Sequence, residues 1–373
     1  MKIFIEPNDV LMFRDGRPFA GGDDHFARGI FPPSPATIYG ALRSHMLSNK
    51  SGEFDTFKSD ASKISKHITD EIGTPDKLGL FALTQFTLAK RNGSIIEQFF
   101  TMPKDVVKKK GSEDLRHYGL MPQNFSEGKI MTDLPSGLIN MWYPSEDTME
   151  AVSGFLSVKE MADYLNGKVP SIVAETKYLF DKEERTGIRK SKTLRSVETG
   201  GLYSVEYFRL NKDVGFAVEV ENTNLLPESG ILRLGGDNRA AKYSKASWNG
   251  IHAENIKKKI AQNNHFKLVL TTPAIFKKGW IPEGIDSNTM QGAINGIELK
   301  LISACLGKPV GIGGYDFVKN HPKVMKKAVP AGSVYYFELK EGAVDSLFDR
   351  LWLKSISDER AQEGFGITLI GGY

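Results

Sequence analysis

The chain has 373 residues, more than one hydrophobic core usually serves, so two domains or one duplicated domain is the expectation. Hydrophobic residues make up 40% of it, and 49 Lys and Arg against 45 Asp and Glu leave a net charge of only +4, so any nucleic-acid surface has to come from local patches. The single cysteine excludes an internal disulfide and a cysteine-based zinc site, and no stretch approaches the about 18 apolar residues of a membrane-spanning helix.

In chain order, MKIFIEP alternates apolar and polar residues and reads as a strand rather than a signal peptide, because Glu6 and Pro7 end a short apolar run. FRDGRPFAGGDDHFARGIFPPSPATIYGALRS follows, from Phe13 to Ser44. Arg14, Arg17, His25 and Arg28 supply donors there, and the glycines let the backbone approach a ligand, which is the make-up of a phosphate-holding loop. Tight turns whose arginines pair with Asp23 and Asp24 account for the same residues equally well. Ser34 suits an N-cap and Pro35 the first helical position, so a helix is predicted from Ser34 to about Leu47. Its expected core stripe is Ile38, Ala41 and Leu42, with Tyr39 and Arg43 on a neighbouring, ligand-facing stripe.

Residues 49–76 are polar and rich in Ser and Lys and read as an insertion loop, before LGLFALTQFTLAK resumes as strands. Residues 104–129 have the composition of a second solvated loop. MADYLNGK reads as a short helix ended by Gly167. The segment RTGIRKSKTLRSVETGGLYSVEYFRL then reads as a basic hairpin arm. Arg189, Lys190, Lys192 and Arg195 lie there beyond Arg185, a surface for single-stranded RNA or a salt-screened tip. GGDNRAA places Arg239 after a tight turn, within reach of a phosphate or a carboxylate.

From about His265 the strand and helix signals begin again, through IELKLISACL, SVYYFELK and GAVDSLFDRLWLKS, as in a degenerate second copy of the same unit. Cys305 sits in an apolar run and reads as a buried thiol, consistent with a reducing cytosol. Gly364, Gly366 and Gly371 bracket a terminal apolar strand. Their loop lacks the Lys and Ser/Thr of a Walker motif and the following helix of a Rossmann turn, and it suits close passage of an RNA backbone.

These blocks, in this order, resemble subunit three of the Cmr module, the type III-B CRISPR RNA-guided effector, a member of the RAMP superfamily. The resemblance spans nearly the whole chain. It implies an α+β fold of two ferredoxin-like (RRM-like) domains, residues 1–220 with insertions and the hairpin arm and residues 221–373 with the glycine-rich loop. It implies a non-catalytic, cytoplasmic subunit without cofactor or metal. Such a subunit holds the 5′ repeat-derived tag of the CRISPR RNA and bridges the large polymerase-like subunit to the backbone subunit. By the same resemblance Arg14, Arg17, His25, Arg28, Tyr39 and Arg43 line the tag site, with Arg189, Lys190, Lys192, Arg195, Gly364, Gly366 and Gly371 adjacent.

No RNP1 string is present, so loop-based binding is expected over stacking on a sheet face. The enzymatic alternative is a metal-independent endoribonuclease, for which His25 and His45 are the histidines nearest the expected RNA path. Asp23 and Asp24 lack a third ligand for magnesium. A scaffold whose basic loops meet acidic protein partners is the remaining class.

Overall fold

The computed structural model describes residues 1–14, 26–49, 53–112, 116–124, 134–135, 137–190, 197–316 and 320–373; of residues 53, 54, 189, 190 and 197–201 it describes the backbone. The opening strand is β1 (Lys2–Pro7), whose Ile3 and Ile5 enter one cluster while Phe4 enters another on the opposite face, as a period of two requires. Helix α1 (Pro35–Ser48) begins where expected, with Ser34 at the N-cap position and Pro35 at the first helical one, although the Ser34 side chain makes no capping bond.

The polar stretch after α1 is not a loop throughout. It forms α2 (Glu53–Ser59) and α3 (Lys66–Ile72), because Phe57, Ile64, Ile68 and Ile72 bury against the first core. Next come the hairpin β2 (Ala82–Asn92) and β3 (Ile95–Thr101). Within 104–129, strands Val106–Lys109 and His117–Gly119 pair where a solvated loop was expected. Then β4 (Phe155–Ser157) leads into α4 (Val158–Leu165), followed by Gly167 at φ 85°. The arm is the antiparallel pair β5 (Phe180–Lys190) and β6 (Val197–Leu210), with Phe180 opposite Leu210 and Ile188 opposite Leu202. After it run β7 (Val214–Glu221), β8 (Ser229–Arg233) and β9 (Ala240–Lys245).

The second half starts with α5 (Glu254–Asn263) and β10 (His265–Leu270). It continues through β11 (Gln291–Ile294), β12 (Ile297–Cys305), β13 (Val334–Leu339), α6 (Val344–Leu351) and β14 (Thr368–Gly372).

Two antiparallel sheets organise these elements. The first has seven strands in the order β4-β3-β2-β7-β1-β9-β8, and the second five in the order β11-β12-β13-β10-β14. Four strands of each share one arrangement. In the first, β9-β1-β7-β2 are antiparallel neighbours, so the connection from β1 through α1 to β2 skips over β7. In the second, β14-β10-β13-β12 repeat that order, and α6 lies between β13 and β14. The repeat read from the sequence is thus visible in topology, with a helix after the first strand in one half and after the third in the other.

The halves interlock. Strands β8 and β9, beyond residue 220, belong to the first sheet, while Met161, Tyr164 and Leu165 of α4 pack into the core of the second with Ile256, Ile260 and Leu347. In that core the buried Asp105 carboxylate accepts hydrogen bonds from the Tyr164 hydroxyl at 2.7 and 2.8 Å and from the Tyr336 hydroxyl at 2.5 Å. The buried Lys267 ammonium lies 3.5 Å from the same carboxylate and 3.4 Å from the centroid of the Tyr164 ring. Cys305 is buried, and burial pushes its thiol pKa well up.

Candidate nucleic-acid interface

Three segments far apart in sequence meet at one place. The ends of the basic loop are zipped together, with Ile30 N–H donating to Phe13 O at 2.8 Å and Arg14 bridging Gly29. The preceding residues pair with the arm, Leu11 and Phe208 exchanging two backbone bonds of 2.8 Å, and Gly29 N–H donates to the Glu206 carboxylate at 3.0 Å. The Gly-Gly-Asp-Asn turn closes the group: Gly236 N–H donates to Met12 O at 2.8 Å, and the Tyr207 hydroxyl donates to Asp237 at 2.5 Å. Asp237 and Asn238 both hold positive φ, which these residue types tolerate best after glycine. Arg239 stands 5.1 Å above the Tyr207 ring and 3.5 Å from Asp9, and its buried Nε has no hydrogen-bond partner among the described residues. Arg28 is exposed beside this assembly.

From here a cleft of about 1720 Å³ runs between the two halves. One wall carries Arg14, Ser34, Arg43, Lys104 and Arg233, the other Lys308, Gly311, Gly313, Gly314, Lys323 and Arg360. Eight Lys and Arg side chains line it against two acids, Asp316 and Glu363. Some of that charge is committed within the protein, since Arg360 and Glu363 form a two-pronged pair at 2.8 and 2.7 Å. Lys104, Arg233, Lys308 and Lys323, by contrast, have no carboxylate or hydrogen-bond partner for their charged groups among the described residues. A low-dielectric cleft with unneutralised cations favours a polyanion.

Several expected ligand residues hold other positions. Tyr39 is 2% exposed, stacks on Phe81 at 4.9 Å and donates to Phe81 O at 3.3 Å; burial pushes its pKa up to about 12. The buried stripe of α1 is Ile38, Tyr39, Leu42 and Met46, wide enough to take in Tyr39, which lies only about 60° from Leu42 around the helix. Arg43 donates from Nε to Ile72 O at 2.5 Å and from a terminal nitrogen to Thr74 O at 2.7 Å. It therefore satisfies carbonyls at the end of α3, and desolvation lowers its pKa.

The C-terminal glycines are buried against the protein itself, so the space expected for an RNA backbone is filled. Gly364, at φ 91°, abuts Leu83 and Pro35, where a Cβ would lie 2.5 Å from Leu83 Cδ2; Gly366, at φ 69°, faces the backbone of Ser357; Gly371 lies against Leu165 and Lys267. The Gln362 side chain bonds to Gly79 O and Phe81 O, which docks this loop onto the first half. His45, on α1, has its Nε2 3.0 Å from the Asn49 amide nitrogen and 3.1 Å from the Tyr243 hydroxyl. Arg17, His25, Lys192 and Arg195 lie outside the described residues, and of Arg189 and Lys190 only the backbone is described.

Lys104, Arg233, Lys308 and Lys323 went unnoticed in the sequence. The available signal was the second glycine run, GKPVGIGGYD, whose Gly311, Gly313 and Gly314 line the cleft. Among the described residues no group of three or more His, Cys, Asp or Glu stands ready for a metal, and no helix is long and apolar enough to cross a membrane.

The fold and cleft define an α+β protein of two interlocked halves around a basic groove. The model of the CRISPR-associated protein family Cas_Cmr3 matches residues 3–372, and the chain belongs to that family, subunit three of the type III-B Cmr effector. Solved structures of low identity are similar in outline. A chain of the Type III-B Cmr-beta complex bound to cognate target RNA is 18% identical with a TM-score of 0.47, covering 90% of this chain and 86% of that one. A second such structure, bound to cognate target RNA and AMPPnP, gives 17% and 0.46 over the same shares. A chain of the Csm3-Csm4 subcomplex of the type III-A interference complex gives 12% and 0.39, covering 92% and 93%. No curated protein matches the chain.

Proposed function

We propose that this chain is the non-catalytic, cytoplasmic subunit that holds the 5′ repeat-derived tag of the CRISPR RNA in the type III-B effector. In this reading it also bridges the large polymerase-like subunit to the backbone subunit. The observation that carries the reading is the cleft: its lining is strongly basic, although the whole chain is nearly neutral, and four of its cations have no carboxylate or hydrogen-bond partner among the described residues. The basic loop ends, the hairpin base and the Gly-Gly-Asp-Asn turn converge at its mouth, which supports this reading. The shared strand order of the two sheets, a split β-α-β in the first, supports the reading of two ferredoxin-like domains. Phosphate contacts would position the RNA, and base edges would confer any preference for the tag.

The test is binding of the purified chain, alone and with its large partner, to CRISPR RNAs carrying a correct, scrambled or deleted 5′ tag at two salt concentrations, with RNA integrity checked on a gel. Tag-dependent, salt-sensitive retention of intact RNA is the expected result. Binding indifferent to the tag would make the chain a scaffold. Cleavage abolished by His25→Ala would make it a ribonuclease.

A further inference from the structure

Lys104 is a half-buried cation of the cleft that has no counter-ion among the described residues. It leaves the end of β3 with its backbone N–H bonded to Gly332 O at 2.9 Å, and its neighbour Asp105 turns into the core. That carboxylate is already occupied by Tyr164, Tyr336 and Lys267, so the acid nearest in sequence does not serve Lys104. Of the two acids lining the cleft, Glu363 is engaged by Arg360. Desolvation alone lowers the pKa of the Lys104 ammonium, the signature of a charge taken from water with nothing put in its place.

The side chain runs past Gly307 of the second half, whose Cβ, if present, would lie 3.3 Å from Lys104 Cε, and the next residue is Lys308. Lys308 is exposed and likewise has no carboxylate partner among the described residues. Two cations, one at the exit of β3 and one next to Gly307, therefore line the same stretch of the cleft. A partly desolvated ammonium group such as that of Lys104 is costly unless paired. Two lysines lining one stretch of a cleft fit a ligand with several anionic oxygens on one atom, and lysine binds phosphate as a point charge.

The geometry points to a single-phosphate clamp: Lys104 and Lys308 together grip one backbone phosphate of a bound RNA, and that phosphate ties the two halves of the protein to each other. This rests on the RNA-holding reading above and names the contact within it. An acidic side chain of a protein partner is the competing occupant. A phosphate fits better because the rest of the cleft is also basic over a length that suits a chain of charges.

The experiment measures binding of the tagged CRISPR RNA by the full chain and by its assembled complex as salt is varied, for wild type, Lys104→Gln, Lys308→Gln and the double variant. Urea midpoints serve as the folding control. Each single substitution is expected to flatten the slope of log K against log salt by up to the roughly 0.7 that one phosphate contributes on a single strand, and the double variant to lose no more than that in total. A scan with neutral methylphosphonate linkages then finds one position that weakens the wild type and leaves the double variant unchanged. An unchanged slope in a double variant that folds, with wild type still binding tagged RNA, overturns the clamp and leaves the RNA-holding reading intact. Loss of partner association without change in RNA retention assigns the pair to a protein acid instead. Failure of the wild type to retain tagged RNA removes both readings.

Discussion

The Asp105 carboxylate and the Lys267 ammonium lie 3.5 Å apart in the core between β10 and α4, both residues no more than 5% exposed. Burial lowers the lysine's pKa and the carboxylate opposes that fall, while two tyrosine hydroxyls satisfy the remaining carboxylate lone pairs. Removing one member strands the other charge, which costs about 3–5 kcal/mol. Asp105→Ala and Lys267→Met are each expected to destabilise by about that much. The double variant Asp105→Leu/Lys267→Met is expected to cost clearly less than the sum. Urea midpoints in a double-mutant cycle measure this, and additivity within about 0.5 kcal/mol would show that the pair is not coupled.

Arg43 and the basic loop separate stability from binding. Since Arg43 caps the end of α3, Arg43→Ala is expected to lower stability by about 1–3 kcal/mol through the carbonyls it strands, with little change in the salt dependence of RNA binding. Replacing Arg14, Arg17 and Arg28 together by Ala is expected to do the reverse, weakening retention of tagged RNA and flattening its salt slope while the urea midpoint holds. If Arg43→Ala alone abolishes retention in a protein of unchanged stability, Arg43 contacts RNA.

Gly366 combines φ 69° with Ser357 backbone nitrogen 2.6 Å from where a Cβ would stand. Its N–H also donates to Pro273 O at 2.8 Å, so the segment has little room to shift. Gly366→Ala is expected to cost at least about 1–3 kcal/mol from backbone conformation alone, with the steric clash in addition. A thermal midpoint equal to wild type would show that the loop relaxes.

Elements set by local pattern were legible in the sequence: the alternation of β1, the Ser34-Pro35 start of α1, the strands of the arm, and Gly167 after α4. What lay beyond reach depended on which distant surface arrives. Tyr39 is as suited to a ligand face as to a core until Phe81 stacks on it. Gly364 is as suited to an RNA backbone until Leu83 and Pro35 occupy its open side. Lys104 looks like one more basic residue in the run KDVVKKK. Its singularity follows only from Asp105 being drawn inward by Tyr164, Tyr336 and Lys267, none of which is near in sequence. The motifs at the cleft mouth were found individually, whereas the cleft itself is made by the interlock of the two halves.

His45 carries a pH dependence whose sign follows from its burial. Nε2 lies 3.0 Å from the Asn49 amide nitrogen and 3.1 Å from the Tyr243 hydroxyl, and burial lowers the pKa below the ordinary 6.5. Around and below pH 6.5 the unfolded chain therefore binds a proton that the folded chain refuses. Stability is at its full value above that pH and falls as pH drops toward the lowered folded value, below which this contribution stops changing. Urea midpoints of wild type should decline between pH 7.5 and 5.5 more steeply than those of His45→Gln, which offers an amide acceptor without a titrating ring. Equal slopes for the two proteins over that range would mean that His45 does not resist protonation in the folded state.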